Sequence, residues 1–187
     1  QADIFAVGDA VEVKDPVTGE WGLVALAGPA NRQGRIAADV IAGRDSRFRG
    51  TQGTSVIGIF GGTVATTGAN EKLLTRLGQK DFEKVYIFPN SHAGYYPGAK
   101  TIVLKVIFRK SDGRLLGAQA LGMDGVETRI DALAMALGER ADAAELAAGA
   151  DAGVAVVGER GVERLEGVEP VQVVAEARVV DRRAEVQ

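Results

Sequence analysis

At 187 residues, with 46% of them apolar and a formal net charge of −3, the chain has material for a packed core and no cationic excess. That balance excludes the electrostatic footprint of a DNA- or RNA-binding protein. With no cysteine and a single histidine, a disulfide framework, a thiolate or clustered-imidazole metal site and a cysteine nucleophile are excluded within these residues, and no metal is expected. No apolar run reaches the roughly 18 residues that a membrane helix needs, and no charged-then-apolar signal segment opens the chain, so a cytoplasmic protein without a membrane partner is expected.

The opening stretch "DIFAVGD" carries Ile4, Phe5, Ala6 and Val7, a short β-like run that stops at Gly8-Asp9 and places a carboxylate at a sheet edge; a plain turn is the simpler alternative. "VKDPVTGEWG", with Pro16, Gly19 and Gly22, reads as a loop. "GPANRQGRIAADVIAG" reads as a helix, with Pro29 in its first turn, Ile36, Ala37, Val40 and Ile41 on one face, and Gly43 as its stop. The unpaired N–H groups at such a helix start favour an electron-rich ligand atom, although simple packing on a sheet accounts for the helix as well.

Thr, Val, Ile and Gly dominate from Gly50 to Gly68, which predicts strands with a bulge or bend at Gly61-Gly62. "ANEKLLTRLGQ" predicts a short amphipathic helix with Asn70 as N-cap, Leu73, Leu74 and Leu77 buried, and Gly78 at its end. "KVYIF" is a strand, and "TIVLKVIFRKSDGRLLGAQALG" is two strands around Ser111-Asp112-Gly113. "DGVETRIDALAMAL" predicts a helix capped by Asp124 with Glu127 three residues on, and Ile130, Leu133, Ala134 and Leu137 at helical spacing. This order argues an α+β module. From Gly138 to Gln187 the chain uses only Gly, Glu, Arg, Ala, Asp, Leu, Val, Pro and Gln. Two origins compete for that tail, a genuine appendage of small and polar residues and an out-of-frame reading of a GC-rich gene; the replacement of Lys by Arg favours the second.

"DIFAVGDAVEV", "LAGPANRQGRIAADVIAG", "SHAGYYPGA" and "GRLLGAQALGMDGVETRIDALAMAL" together resemble, in order, the C-terminal half of a flavin-dependent pyridine nucleotide-disulfide oxidoreductase, of the branch that holds coenzyme A disulfide reductase and NADH oxidase. The resemblance implies the end of an FAD-binding α/β domain over residues 1–50, a dimerisation domain of antiparallel sheet and helices over 51–137 that forms a homodimer, and an atypical tail over 138–187. It further implies that Asp9, after Gly8, accepts a hydrogen bond from a ribityl hydroxyl of FAD, and that backbone groups of Leu26, Ala27 and Gly28 lie by the flavin's pyrimidine edge. Tyr95 or Tyr96 would reach the partner subunit's redox sulfur, where a phenol can donate without adding charge; ordinary core or interface packing is the alternative for at least one ring. His92 is assigned no role.

In that family NAD(P)H reduces FAD, which passes electrons to a cysteine and on to a disulfide such as coenzyme A disulfide, or to oxygen. The first flavin motif, the nicotinamide domain and that cysteine have no counterpart in these residues, nor has the family's later tyrosine-proline segment. The expectation is therefore a fragment cut at both ends, with weak or absent FAD binding and no turnover by itself. A non-catalytic dimerisation module is the alternative.

Overall fold

A computed structural model describes residues 4–140; the tail read from residue 138 onward lies, from residue 141, outside the described residues. The chain divides into two compact units, Gln1–Ser55 and Val56–Gln187.

In the first unit, strands β1 (Glu12–Lys14) and β2 (Trp21–Leu23) pair antiparallel, with Lys14 opposite Trp21. The stretch read as a loop is thus a hairpin. Its turn is organised by Asp15, whose two carboxylate oxygens accept from Val17 N–H and Thr18 Oγ1, both at 2.8 Å, while its carbonyl accepts from Gly19 N–H. A self-bonding Asp does here what Asn-Gly does in shorter turns, and Pro16 is tolerated because it lies outside both strands. Trp21 projects from this hairpin into solvent. The run Ile4 to Val7 pairs with no strand among the described residues, so the opening strand is not formed there. Apolar sequence alone does not make a strand, which needs a neighbour for its backbone groups. Helix α1 (Ala27–Ile41) follows, with Gly43 in the left-handed conformation beyond its C-cap, as its stop signal required.

The second unit is an α+β layer structure. A five-stranded sheet has the order β3-β4-β7-β6-β5, built from β3 (Ser55–Ile59), β4 (Gly62–Gly68), β5 (Glu83–Ile87), β6 (Val103–Phe108) and β7 (Leu115–Gly122). β4 with β7, β7 with β6 and β6 with β5 are antiparallel. The two residues between β3 and β4, Phe60 and Gly61, both have positive φ, so of the expected bulge or bend the chain forms a bend, a tight hairpin turn one residue ahead of Gly61-Gly62. The turn at Ser111-Asp112-Gly113 joins β6 to β7 as its composition required, with Asp112 accepting from Arg114 N–H and Arg109 Nη1.

Side chains alternate across the sheet, so one face carries Ala65, Thr67, Ala118, Ala120 and Gly122. Helix α3 (Val126–Gly138) lies on that face against β4 and β7, burying Val126, Ile130, Leu133 and Leu137. Its start differs from expectation, because the N-cap is Gly125, at φ 71°, and Asp124 makes no capping bond. The left-handed residue turns the chain into the helix directly, and that path leaves no place for an Asp cap. Helix α2 (Glu71–Arg76) is capped by Asn70 as predicted, through Leu73 N–H. Its Glu71 reaches the opposite face, where it bonds both Lys84 of β5 and, at 2.8 Å, Lys105 of β6.

Two outcomes follow from this packing. A Cβ at Gly117 would stand 2.1 Å from the backbone oxygen of Ala69, so Gly117→Ala should cost about 2–3 kcal/mol in urea unfolding. The Lys105 and Lys84 ammonium groups hold the Glu71 carboxyl below the ordinary glutamate range, and Glu71 in turn raises Lys84. With its folded pKa depressed, Glu71 stabilises the fold above the ordinary glutamate range and loses that contribution as pH falls through its lowered value. Glu71→Gln should therefore lower stability by about 1 kcal/mol at neutral pH, discounted for partial exposure, and leave it unchanged in acid where the carboxyl is protonated, as followed by urea unfolding across pH.

Candidate functional site

The nominated residues fall in both units. In the first, the chain turns at Gly8, whose φ of 96° is open to glycine and strained for any residue with a side chain. Gly8 N–H donates to Oε1 of Gln33 at 2.7 Å, which fastens the turn to the second turn of α1. Asp9 follows with its carboxylate exposed and without a hydrogen bond among the described residues. It is an acceptor free for a hydroxyl-bearing ligand.

Leu26, Ala27 and Gly28 form the entrance of α1. Leu26 is the N-cap and has no side-chain cap to offer. Its own N–H donates to Val24 O at 3.0 Å and its carbonyl accepts from Ala30 N–H at 3.1 Å, so its backbone is engaged within the chain. Ala27 and Gly28 are different: first-turn N–H groups have no intrahelical acceptor, and the first turn contains no acidic side chain to take them. Two open donors at the positive end of a helix dipole suit an electron-rich atom of a planar cofactor. A free carboxylate and a pair of open N–H groups are the donor set and acceptor that a flavin's ribityl chain and pyrimidine edge would use, so the residues present fit that group.

In the second unit, Tyr95 and Tyr96 sit on the loop between β5 and β6. The neck of this loop is closed by a bridge between Asn90 and Thr101, by Ser91 N–H donating to Lys100 O at 2.7 Å, and by Lys100 N–H donating to Ser91 Oγ at 3.1 Å. Arg129 of α3 adds a bond from Nη2 to the carbonyl of Asn90. The two rings lie 4.8 Å apart at 40° to each other, and they are 83% and 61% exposed. Neither belongs to the core, so core packing is set aside for both. His92 stays on the loop, its Nδ1 3.1 Å from the carbonyl of Ala93.

Sequence reasoning missed Gln33. It is a polar residue 6% exposed on the apolar stripe of α1, at helical spacing from Ile36, Ala37 and Val40. That interruption of an amphipathic stripe was the available signal. Among the described residues no group of acidic or His side chains is placed to hold a metal, and no helix is long and apolar enough to cross a membrane.

Residues 56–151 match the family model of the pyridine nucleotide-disulphide oxidoreductase dimerisation domain. A coenzyme A disulfide reductase from Staphylococcus haemolyticus is 35% identical over 72% of this chain and 30% of its own length. An NADH oxidase from Methanocaldococcus jannaschii is 38% identical over 78% of this chain and 32% of its own. The crystal structure of reduced CoADR-RHD from Bacillus anthracis is similar with a TM-score of 0.74 and 51% identity, over 78% of this chain and 26% of that one. The chain thus spans about 30% of the length of the curated relatives that it matches.

Because both rings of the loop are exposed, replacing Tyr95 and Tyr96 together by Leu should leave stability within about 0.5 kcal/mol. Urea unfolding checks this, and a loss several times larger would mean that the rings pack in the fold.

Proposed function

The chain belongs to the family of pyridine nucleotide-disulphide oxidoreductase dimerisation domains, and on that premise we propose that it serves a FAD-dependent oxidoreductase that uses NAD(P)H to reduce a small-molecule disulfide such as coenzyme A disulfide, or oxygen. One observation carries the reading: a dimerisation-type sheet in a chain whose relatives are a coenzyme A disulfide reductase and an NADH oxidase. Under it, residues 1–50 belong to the FAD-binding region, residues 51–137 form the homodimer contact, and the atypical tail over 138–187 has no part in either. A cytoplasmic setting goes with this function.

Bound FAD would accept electrons from NAD(P)H, which is chemistry that no side chain of this sequence supplies. The work of these residues is orientation. Asp9 accepts a hydrogen bond from a ribityl hydroxyl and so fixes a chain that would otherwise rotate freely. Ala27 and Gly28 would offer their N–H groups to the pyrimidine edge, and the dipole of α1 would favour an electron-rich atom there. Leu26 shapes that entrance by its position. Tyr95 or Tyr96, carried on a loop with a fastened neck, donates its phenol O–H toward the redox sulfur of the partner subunit. The redox cysteine is absent from these 187 residues, so the chain by itself is expected to turn over neither disulfide nor oxygen.

A second reading, a dimerisation module without redox chemistry, draws on a different observation. Val103, Leu121 and Met123 are exposed, and Val103 and Leu121 face each other across β6 and β7 on the sheet side away from α3. An apolar row of this kind is a surface suited to a second copy.

Amide NMR spectra of the full chain during titration with FAD test the flavin reading. Shift changes are expected at Gly8, Asp9, Ala27 and Gly28, with a Kd on the order of 1 mM or weaker because only part of the cofactor's contacts are present. Asp9→Ala should remove the response at residues 8 and 9. Responses confined to other residues, or tight stoichiometric binding, would each overturn the assignment as stated. Sedimentation velocity reads the homodimer independently, and a monomer at all concentrations would remove the dimer from both readings.

A further inference from the structure

We propose that Gln33 is a positioning residue, whose buried side-chain oxygen holds the Gly8–Asp9 turn and thereby sets the direction of the Asp9 carboxylate. The purpose given to that carboxylate rests on the flavin reading above. The hold itself rests on geometry.

Gln33 and Thr67 are the buried polar residues among those described. Burying an amide costs free energy unless it is hydrogen-bonded, so a glutamine on the apolar side of a helix has to be explained by its partner. The partner is Gly8 N–H, 25 residues away in sequence, at 2.7 Å. Beside Gln33, Phe5, Val7, Glu12, Val13, Ile36 and Val40 line a partly open cavity of about 320 Å³.

Asp9 has no side-chain anchor of its own among the described residues. Its direction is therefore set by its backbone, and the neighbouring residue is the one that Gln33 fastens. Gly8 needs that fastening more than most residues, because glycine has the largest backbone freedom to lose and here adopts a φ of 96°. The six helical steps from Ala27 to Gln33 measure about 9 Å along the helix axis. One rigid helix thus carries both the open N–H groups at its start and the anchor of the Asp9 turn. The two contact sets that the flavin reading calls on are held at a fixed spacing by α1.

The test compares the full chain with Gln33→Leu, which removes the acceptor at similar size, and Gln33→Glu, which keeps an oxygen in the same place. Hydrogen exchange at the Gly8 amide is expected to accelerate about tenfold or more in Gln33→Leu and to stay near the wild-type rate in Gln33→Glu, while the amides of α1 and of the second unit keep theirs. Equal Gly8 exchange in the wild type and Gln33→Leu would overturn the proposal. So would a uniform acceleration throughout α1, which is the mark of a merely structural role. Should Gln33→Leu not fold, the scalar coupling across the hydrogen bond, from Gly8 ¹⁵N to the Gln33 side-chain carbonyl carbon, decides in the wild-type chain: its presence supports the hold and its absence ends it. The FAD titration is repeated on the Glu variant. A wild type in which FAD shifts only residues elsewhere while its Gly8 amide stays protected through Gln33 would sink the flavin reading and leave the hold standing.

Discussion

The close approach of α3 to the sheet is the constraint on which the second unit depends. Small residues make it feasible: Ala65, Ala118 and Ala120 lie on the face that the helix covers. Glycines mark the two ends of the seat. A Cβ at Gly122 would stand 3.0 Å from Val126, in the first turn of α3, and one at Gly68 would stand 2.6 Å from Leu137, in its last. Between these ends Ile130 and Leu133 are fully buried. Such packing tolerates little change in volume at either end. The tyrosine loop inherits its position from the same helix, because Arg129 projects from α3 to the neck of the loop. A packing decision in the core is thereby transmitted to an exposed pair of rings.

The first unit solves a related problem with polar groups. It has few buried residues, Val13 and Gln33 among those described, and the order of its turns comes from specific hydrogen bonds: Asp15 in the hairpin, Gln33 at Gly8. The helix entrance is left without a cap, which is a cost when nothing is bound and an advantage when an electron-rich edge takes the cap's place. The chemistry assigned to the chain matches this arrangement. Under the proposed reading its residues contribute acceptors, donors and spacing.

Much of this was legible in the sequence, and for identifiable reasons. The Asn70 cap, the Ser111-Asp112-Gly113 turn, the Gly43 stop and the α3 stripe are local signals in which the residue type and its task lie within one turn of each other. The family motifs were legible because each places glycine or a small residue at a spacing that few other folds require. What was missed depends on contacts distant in sequence or on backbone paths that composition does not fix. The β1–β2 hairpin hides behind Pro16 and two glycines that read as loop residues. Asp124 has the chemistry of a cap but loses the position to Gly125, whose left-handed backbone is visible only in three dimensions. Gln33 needs Gly8 beside it before its burial makes sense, and the choice between a site and ordinary core packing for Tyr95 and Tyr96 needs their exposure, which composition does not give.

Trp21 gives the division into two units an optical consequence. It is the sole tryptophan of the chain, and it stands in the β1–β2 hairpin of the first unit, 65% exposed. Intrinsic tryptophan emission therefore originates in the unit with the small core and samples a wet environment even in the folded state. A melt followed by that emission reports the surroundings of one short hairpin, whereas far-ultraviolet ellipticity sums the helices and strands of both units. Disagreement between the two probes would then follow from where the chromophore sits.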